Sequence, residues 1–103
     1  MAQIIRGTTP TIKFTYNDIE VGNITSAILT LKQGGSTVIE KDLTSAQTQD
    51  NMLVWTLTQE ETLSLSGKSV TIVCDWLLNT GVRGRSEVLT ANVGEPAKDE
   101  VME

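Results

Sequence analysis

Ten residues, Ser69–Leu78 (SVTIVCDWLL), constrain the fold of this chain more than any other stretch. Val70, Ile72, Cys74, Trp76 and Leu78 recur at a period of two, which in an extended strand places all five on one face. Val73 and Leu77 make the opposite face partly apolar, while Thr71 and Asp75 keep it half polar. A strand of this kind belongs in the middle of a sheet with one side on the core. Asn79-Thr80-Gly81 reads as a tight turn, so that Val82–Val93 returns antiparallel beside it.

Similar alternation recurs along the chain. Gln3–Arg6 is a short β-prone piece ended by Gly7, and Pro10 opens a second extended segment. In Thr11–Tyr16, the residues Ile12, Phe14 and Tyr16 alternate with Thr11, Lys13 and Thr15. The break at Gly7–Pro10 suggests an edge strand split in two, its halves able to pair with different sheets. Asn17–Asn23 reads as a polar loop. Ile24–Gln33 follows, with Ala27, Leu29 and Leu31 on one face. Gly34-Gly35 is a hairpin signal, since both residues accept positive φ at little steric cost. Ser36–Asp42 returns as an edge whose Glu40, Lys41 and Asp42 oppose pairing with other chains. Leu43–Asp50 holds few large apolar groups and reads as an exposed loop. Asn51–Thr58 sets Leu53, Trp55 and Leu57 against Met52, Val54 and Thr56. Thr58-Gln59-Glu60-Glu61 has the spacing of a capping box and predicts one helical turn, with Leu63 and Leu65 just beyond. In the last strand the apolar parity switches between Val82 and Val88 on one side and Leu89, Ala91 and Val93 on the other. Gly84 lies within it, and a bulge is expected there.

A chain of 103 residues supports one core, and a hydrophobic fraction of 39% is enough for a modest one. The expected architecture is all-β: a single immunoglobulin-like antiparallel β-sandwich of about seven strands with one short helical turn. It would span residues 1–94. Residues 95–103 would form a flexible acidic tail, in which Glu95, Asp99, Glu100 and Glu103 outweigh Lys98. Trp55 and Trp76 each align with leucines or valines at i±2. Both are expected in one core, on facing sheets or adjacent strands. Cys74, the only cysteine, is expected to be buried and reduced.

The net charge of −5 argues against a nucleic-acid binder. Met1–Pro10 lacks the apolar core of a signal peptide, and no run reaches transmembrane length, so synthesis and folding in a cytoplasm are expected. The sequence contains no histidine, which removes the commonest general base and a common metal ligand. Cys74 therefore has no imidazole to activate it, and no Gly-x-Ser-x-Gly occurs. Asp18 with Glu20, or Glu60 with Glu61, would be the available carboxylate pairs. They read more simply as a solvated loop and a capped turn. Asn17-Asp18-Ile19-Glu20 is the best match to a calcium loop but is short of oxygen ligands. Gly34-Gly35-Ser36 lacks the lysine and helix of a phosphate loop, and Asn23-Ile24-Thr25 matches a glycosylation triplet without a secretion signal. Arg83 and Arg85 share one strand face and form either a solvated edge or a grip for an acidic partner. No catalytic, cofactor-binding or metal residue is assigned, and an enzyme is not expected.

The segments Ile5-Arg6-Gly7-Thr8-Thr9-Pro10-Thr11-Ile12, Leu29-Thr30-Leu31-Lys32-Gln33-Gly34-Gly35, Leu57-Thr58-Gln59-Glu60-Glu61-Thr62 and Trp76-Leu77-Leu78-Asn79-Thr80-Gly81-Val82-Arg83-Gly84 resemble small proteins encoded in phages and prophages of Firmicutes bacteria. They are similar to the β-sandwich N-terminal domain of the upper baseplate protein of tailed phages. The resemblance runs from Ile5 to about Val93 and brings no catalytic residues with it. It implies a structural subunit, made in the host bacterial cytoplasm and then built into the virion tail. Such a subunit docks onto other tail or baseplate proteins or onto further copies of itself, with no nucleic acid, membrane or cofactor involved. The competing reading is a non-catalytic ligand-binding β-sandwich module, for example one that binds cell-wall carbohydrate. A module of that kind displays aromatic platforms, whereas Trp55 and Trp76 both read as core.

Overall fold

The alternation of Ser69–Leu78 is realised as one unbroken strand, with Val70, Ile72 and Cys74 buried and Thr71 and Leu77 exposed on the opposite face. The computed structural model describes residues 2–16, 19–86 and 88–95. Within them the strands are β1 (Ala2–Ile5), β2 (Thr11–Thr15), β3 (Ile24–Gln33), β4 (Ser36–Asp42), β5 (Gln47–Gln49), β6 (Met52–Thr56), β7 (Ser69–Leu78), β8 (Arg83–Arg85) and β9 (Leu89–Gly94). One short helix, α1 (Gln59–Leu63), lies between β6 and β7. The larger sheet runs β1-β9-β7-β3-β4, with β8 also paired to β7, and the smaller sheet runs β2-β6-β5. β7 is central, as its sequence requires. Leu29, Leu31, Val70 and Cys74 from the larger sheet meet Leu53, Trp55 and Ile12 from the smaller one in a shared core. This is an all-β, immunoglobulin-like sandwich. Each fully buried leucine in it is worth about 1.5–3 kcal/mol relative to exposure.

The first strand is split as the Gly7–Pro10 break implies. β1 pairs parallel with β9, Ile4 opposite Val93, whereas β2 pairs antiparallel with β6, Ile12 opposite Trp55. Gly7 turns the chain between the sheets at φ 83°. The crossing is fastened by Thr62, a fully buried polar residue of α1. Its Oγ1 accepts from the Gly7 N–H at 2.9 Å and donates to the Thr8 carbonyl at 2.8 Å. These bonds, with the Gln59 carbonyl also in reach at 3.2 Å, offset the hydration the hydroxyl loses on burial.

Four expectations need correction. Leu43–Asp50 is not a loop throughout: Leu43–Ser45 forms a 3-10 turn and Gln47–Gln49 is a strand. All three β5 side chains are exposed, so this strand is held by backbone pairing to β6 and shows no apolar period. Its hairpin turns at Asp50 and Asn51, both at positive φ, the geometry of a type I′ turn. The Asn51 side chain also fastens Ile19 and Val21, accepting from Val21 N–H at 2.8 Å and donating to the Ile19 carbonyl at 2.9 Å. Asn17–Asn23 is likewise not all polar loop, since Val21–Asn23 is a 3-10 turn with Val21 buried. The last strand slips register by one residue, but not at Gly84. Asp75 faces Arg85 and Ile72 faces Leu89, so three residues, 86–88, span what Val73 and Cys74 span on β7. Gly84 itself sits in regular pairing opposite Trp76. β5 and the division of the last strand into β8 and β9 raise the number of strands from about seven to nine among the described residues. The expected tail from residue 96 onward, and Asn17 and Asp18 of the calcium-loop reading, lie outside the described residues.

The capping box forms in full. Thr58 Oγ1 accepts from Glu61 N–H at 3.1 Å, and Glu61 Oε1 accepts from Thr58 N–H at 2.8 Å. Glu61 also takes the Lys41 ammonium at 3.0 Å, tying α1 to β4. Burial opposes ionisation of Glu61, but the Thr58 N–H and Lys41 outweigh it and hold the carboxyl below the usual glutamate range. A depressed folded-state pKa stabilises the fold above the ordinary glutamate value, and that stability is lost as pH falls through the folded value. Urea unfolding measured at successive pH values should therefore show a shallower acid loss for Glu61→Gln than for the wild type. Identical slopes would mean the carboxylate contributes nothing to acid sensitivity.

Candidate functional site: an open strand edge

Pairing across β7 and β8 sets Arg85 opposite Asp75 and Arg83 opposite Leu77. All four side chains point away from the core, because Trp76 and Gly84 between them take the inward parity. Asp75 gathers both guanidiniums: Arg85 Nε donates to Oδ1 at 2.7 Å, and Arg83 Nη2 donates to Oδ2 at 3.4 Å. Hydrogen bonding from Arg85, with Arg83 behind it, holds the Asp75 carboxyl below the ordinary aspartate range. Two cations share one anion, and the arginine side chains are 72% and 63% exposed. The pair therefore presents surplus positive charge on an acidic chain. The sequence singled out both arginines, but their shared anchor at Asp75 becomes visible only with the register.

The backbone here is open as well. Leu78 N–H bonds to the Val82 carbonyl and Ser86 N–H to the Cys74 carbonyl, both at 2.8 Å. Peptide groups alternate in direction along an antiparallel strand, so those of Arg83 and Arg85 face away from β7. β1 covers β9 but not β8, and no described strand pairs on that side. The five large apolar residues exposed among the described residues are Ile28, Leu77, Val82, Val88 and Leu89. Val82, Val88 and Leu89 flank β8 in sequence, Leu77 faces Arg83, and Ile28 faces Asp75. Leu77, Val82, Val88 and Leu89 thus border the same edge, whereas Ile28 lies beyond β7 on β3, with Asp42 of β4 on its other side.

Beneath this edge the side chains are inward and tightly placed. The Trp76 ring covers Gly84 so closely that a Cβ there would lie 2.0 Å from Cζ2. Trp76 makes an edge-to-face contact with Tyr16, whose hydroxyl lies 3.6 Å from Cys74 Sγ. Burial raises the Cys74 thiol pKa and, with Cys74 beside it, the Tyr16 phenol well above its ordinary value. Both are therefore neutral structural groups. Trp55 is fully buried on β6 in the smaller sheet, facing the larger sheet that carries the half-buried Trp76.

Of the other sequence candidates, Glu60 and Glu61 both line a shallow depression with Val38, Ile39, Glu40 and Ser64, but Glu61 is engaged in its cap and by Lys41. Glu20 is exposed. Among the described residues no group of three or more His, Cys, Asp or Glu is placed to hold a metal ion. None of the described helices is long and apolar enough to cross a membrane.

No protein-family model and no curated protein matches this chain. Among solved structures, the chain is similar to a strand-swapped dimer of the immunoglobulin-like domain of mouse leukocyte-associated immunoglobulin-like receptor 1. That match has TM-score 0.49 and 19% identity, over 88% of this chain and 84% of that one. It is also similar to the crystal structure of CopC from Methylosinus trichosporium OB3b, with TM-score 0.57 and 14% identity, over 95% of this chain and 89% of CopC. At that identity the CopC likeness is one of fold, an all-β sandwich, and carries no functional residue across.

Proposed function

We propose that this chain is a non-catalytic docking subunit of a phage or prophage tail or baseplate, and that it engages its neighbour through the β8 edge. The observation that carries the docking reading is the gathering of four of the five exposed large apolar residues among those described, Leu77, Val82, Val88 and Leu89, around one unpaired strand segment. Apolar surface, outward peptide groups and a cation pair at one place are what strand addition uses: main-chain bonds for affinity, flanking side chains for choice of partner. The assignment to a virion rests on the resemblance of the strand and turn segments to phage proteins. The lack of histidine supports binding without turnover. A carbohydrate platform finds no support in Trp55, which is fully buried.

The test is affinity capture of tagged protein from phage-producing cells, with captured chains identified by mass spectrometry. Tail or baseplate subunits are expected with the wild type, and the Arg83→Glu/Arg85→Glu variant should weaken their capture by about tenfold, equivalent to about 1.4 kcal/mol. Circular dichroism checks that the variant is folded. Capture of no virion protein, together with binding to cell-wall polysaccharide, would overturn the proposal in favour of a ligand-binding module.

A further inference from the structure

We infer that the β8 edge receives the β4 edge of a second copy of this chain, so that the larger sheet continues head to tail from one molecule to the next. The inference rests on the docking reading of β8 and names its partner.

β4 is the opposite edge of the same sheet. Asp42 faces Ile28 and Glu40 faces Thr30, which puts both carboxylates on the outer face, the face that carries Arg83 and Arg85. Lys41 between them points inward to Glu61. One edge thus bears two carboxylates at i and i+2, and the other bears two guanidiniums at the same spacing. Strand direction also fits. β3 is antiparallel to both β4 and β7, so β4 runs with β7 and against β8. In one antiparallel register Arg83 falls opposite Asp42, and Arg85 opposite Glu40, at Cβ separations of about 4.5–5.5 Å.

The peptide groups agree with this register. The alternation that turns Arg83 and Arg85 outward on β8 sends the Asp75 peptide groups to Ile28 and those of Leu29 to Lys41. Those of Glu40 and Asp42 are left pointing out of the sheet. The Asp42 carbonyl is taken by the Trp55 indole N–H at 2.9 Å. The Arg85–Glu40 pair can therefore exchange both of its bonds, and the Arg83–Asp42 pair only one. The ladder is short, so the association is weak, concentration-dependent and sensitive to salt. Symmetric alternatives are disfavoured by charge, since β8 on β8 sets arginine against arginine and β4 on β4 sets carboxylate against carboxylate. A heterologous contact of this kind builds rings or filaments rather than closed dimers.

The test is sedimentation velocity at low ionic strength up to about 1 mM, the weak end of measurable association. The wild type should form a series of species beyond the dimer. Arg83→Glu/Arg85→Glu alone and Glu40→Arg/Asp42→Asn alone should stay monomeric. Their equimolar mixture should restore the series by alternating the two variants, because each edge of one is complementary to the opposite edge of the other. Should either variant misfold, Arg85→Cys mixed with Glu40→Cys under mild oxidation should give a mixed disulfide that neither gives alone. A wild type that stays monomeric, a wild type that stops at a dimer, or a mixture that neither restores the series nor gives the mixed disulfide would overturn the inference. If self-association fails but the arginine variant still loses tail proteins in the capture experiment, the docking reading stands without it. Failure of both removes both.

Discussion

Trp55→Ala is expected to lower the unfolding free energy by about 3–5 kcal/mol, a large part of the roughly 5–15 kcal/mol a domain of this size holds. The side chain is fully buried, meets Phe14 edge-to-face with ring centroids 6.0 Å apart, and donates its indole N–H to the end of β4. That last bond joins the two sheets, so truncation removes volume from the core and a tie between layers together. Trp76→Ala should cost less, because its ring is only half-buried. Urea unfolding followed by far-ultraviolet circular dichroism gives both numbers. A Trp55→Ala loss within the roughly ±0.5 kcal/mol of surface substitutions would contradict the burial.

Gly84→Ala carries the second large effect, and its sign is informative. Glycine within a strand is ordinarily worse than alanine by about 0.5–1 kcal/mol, so alanine should help if only backbone freedom mattered. A Cβ at this position would instead lie 2.0 Å from Trp76 Cζ2 and 2.2 Å from Cη2. The indole must leave its place against Tyr16, and a destabilisation of about 1–3 kcal/mol is expected. In a Trp76→Ala background the obstacle is gone and Gly84→Ala should become stabilising. The double-mutant cycle isolates the coupling between the two positions. Equal effects in both backgrounds would show that the ring does not rest on the glycine.

Gly84 also shows how far the sequence could be read. The switch in apolar parity between Val88 and Leu89 reports a real register slip, found between the Asp75–Arg85 and Ile72–Leu89 pairs. Placing it at Gly84 followed from the residue type. A strand glycine marks either a bulge or a close approach, and only the cross-strand neighbour decides which. β7 was legible end to end because it alternates against a core on one face. β3 was legible from Ala27 to Leu31 but not at its start, where a register shift between Ile24 and Ser26 buries Ile24 out of phase. β5 was not, because no side chain of Gln47–Gln49 is buried and backbone pairing leaves no hydrophobic period. The arginine pair could be read from its spacing alone. Its anchor, Asp75, required the β7–β8 register, and the relation between Glu40, Asp42 and the arginines required the strand order of the whole sheet. Taken locally, the acidic residues of β4 were sound evidence for an edge and silent about what the edge could meet.

The parallel pairing of β1 with β9 has a consequence for biosynthesis. Ile4 lies opposite Val93, one near each end of the described chain. A ribosome releases β1 before its partner, and β9 follows every other described strand, so β1 has no strand to join while β2 to β8 are emerging. β2, only a few residues further on, pairs with β6 and can engage once Met52–Thr56 has been translated. The two halves of one split strand thus become structured at different moments of synthesis, and closing the larger sheet waits for the longest-range contact. Until then β1 is unpaired and the side of β7 that β8 and β9 later cover is open, so the nascent domain shows a longer exposed edge than the finished one.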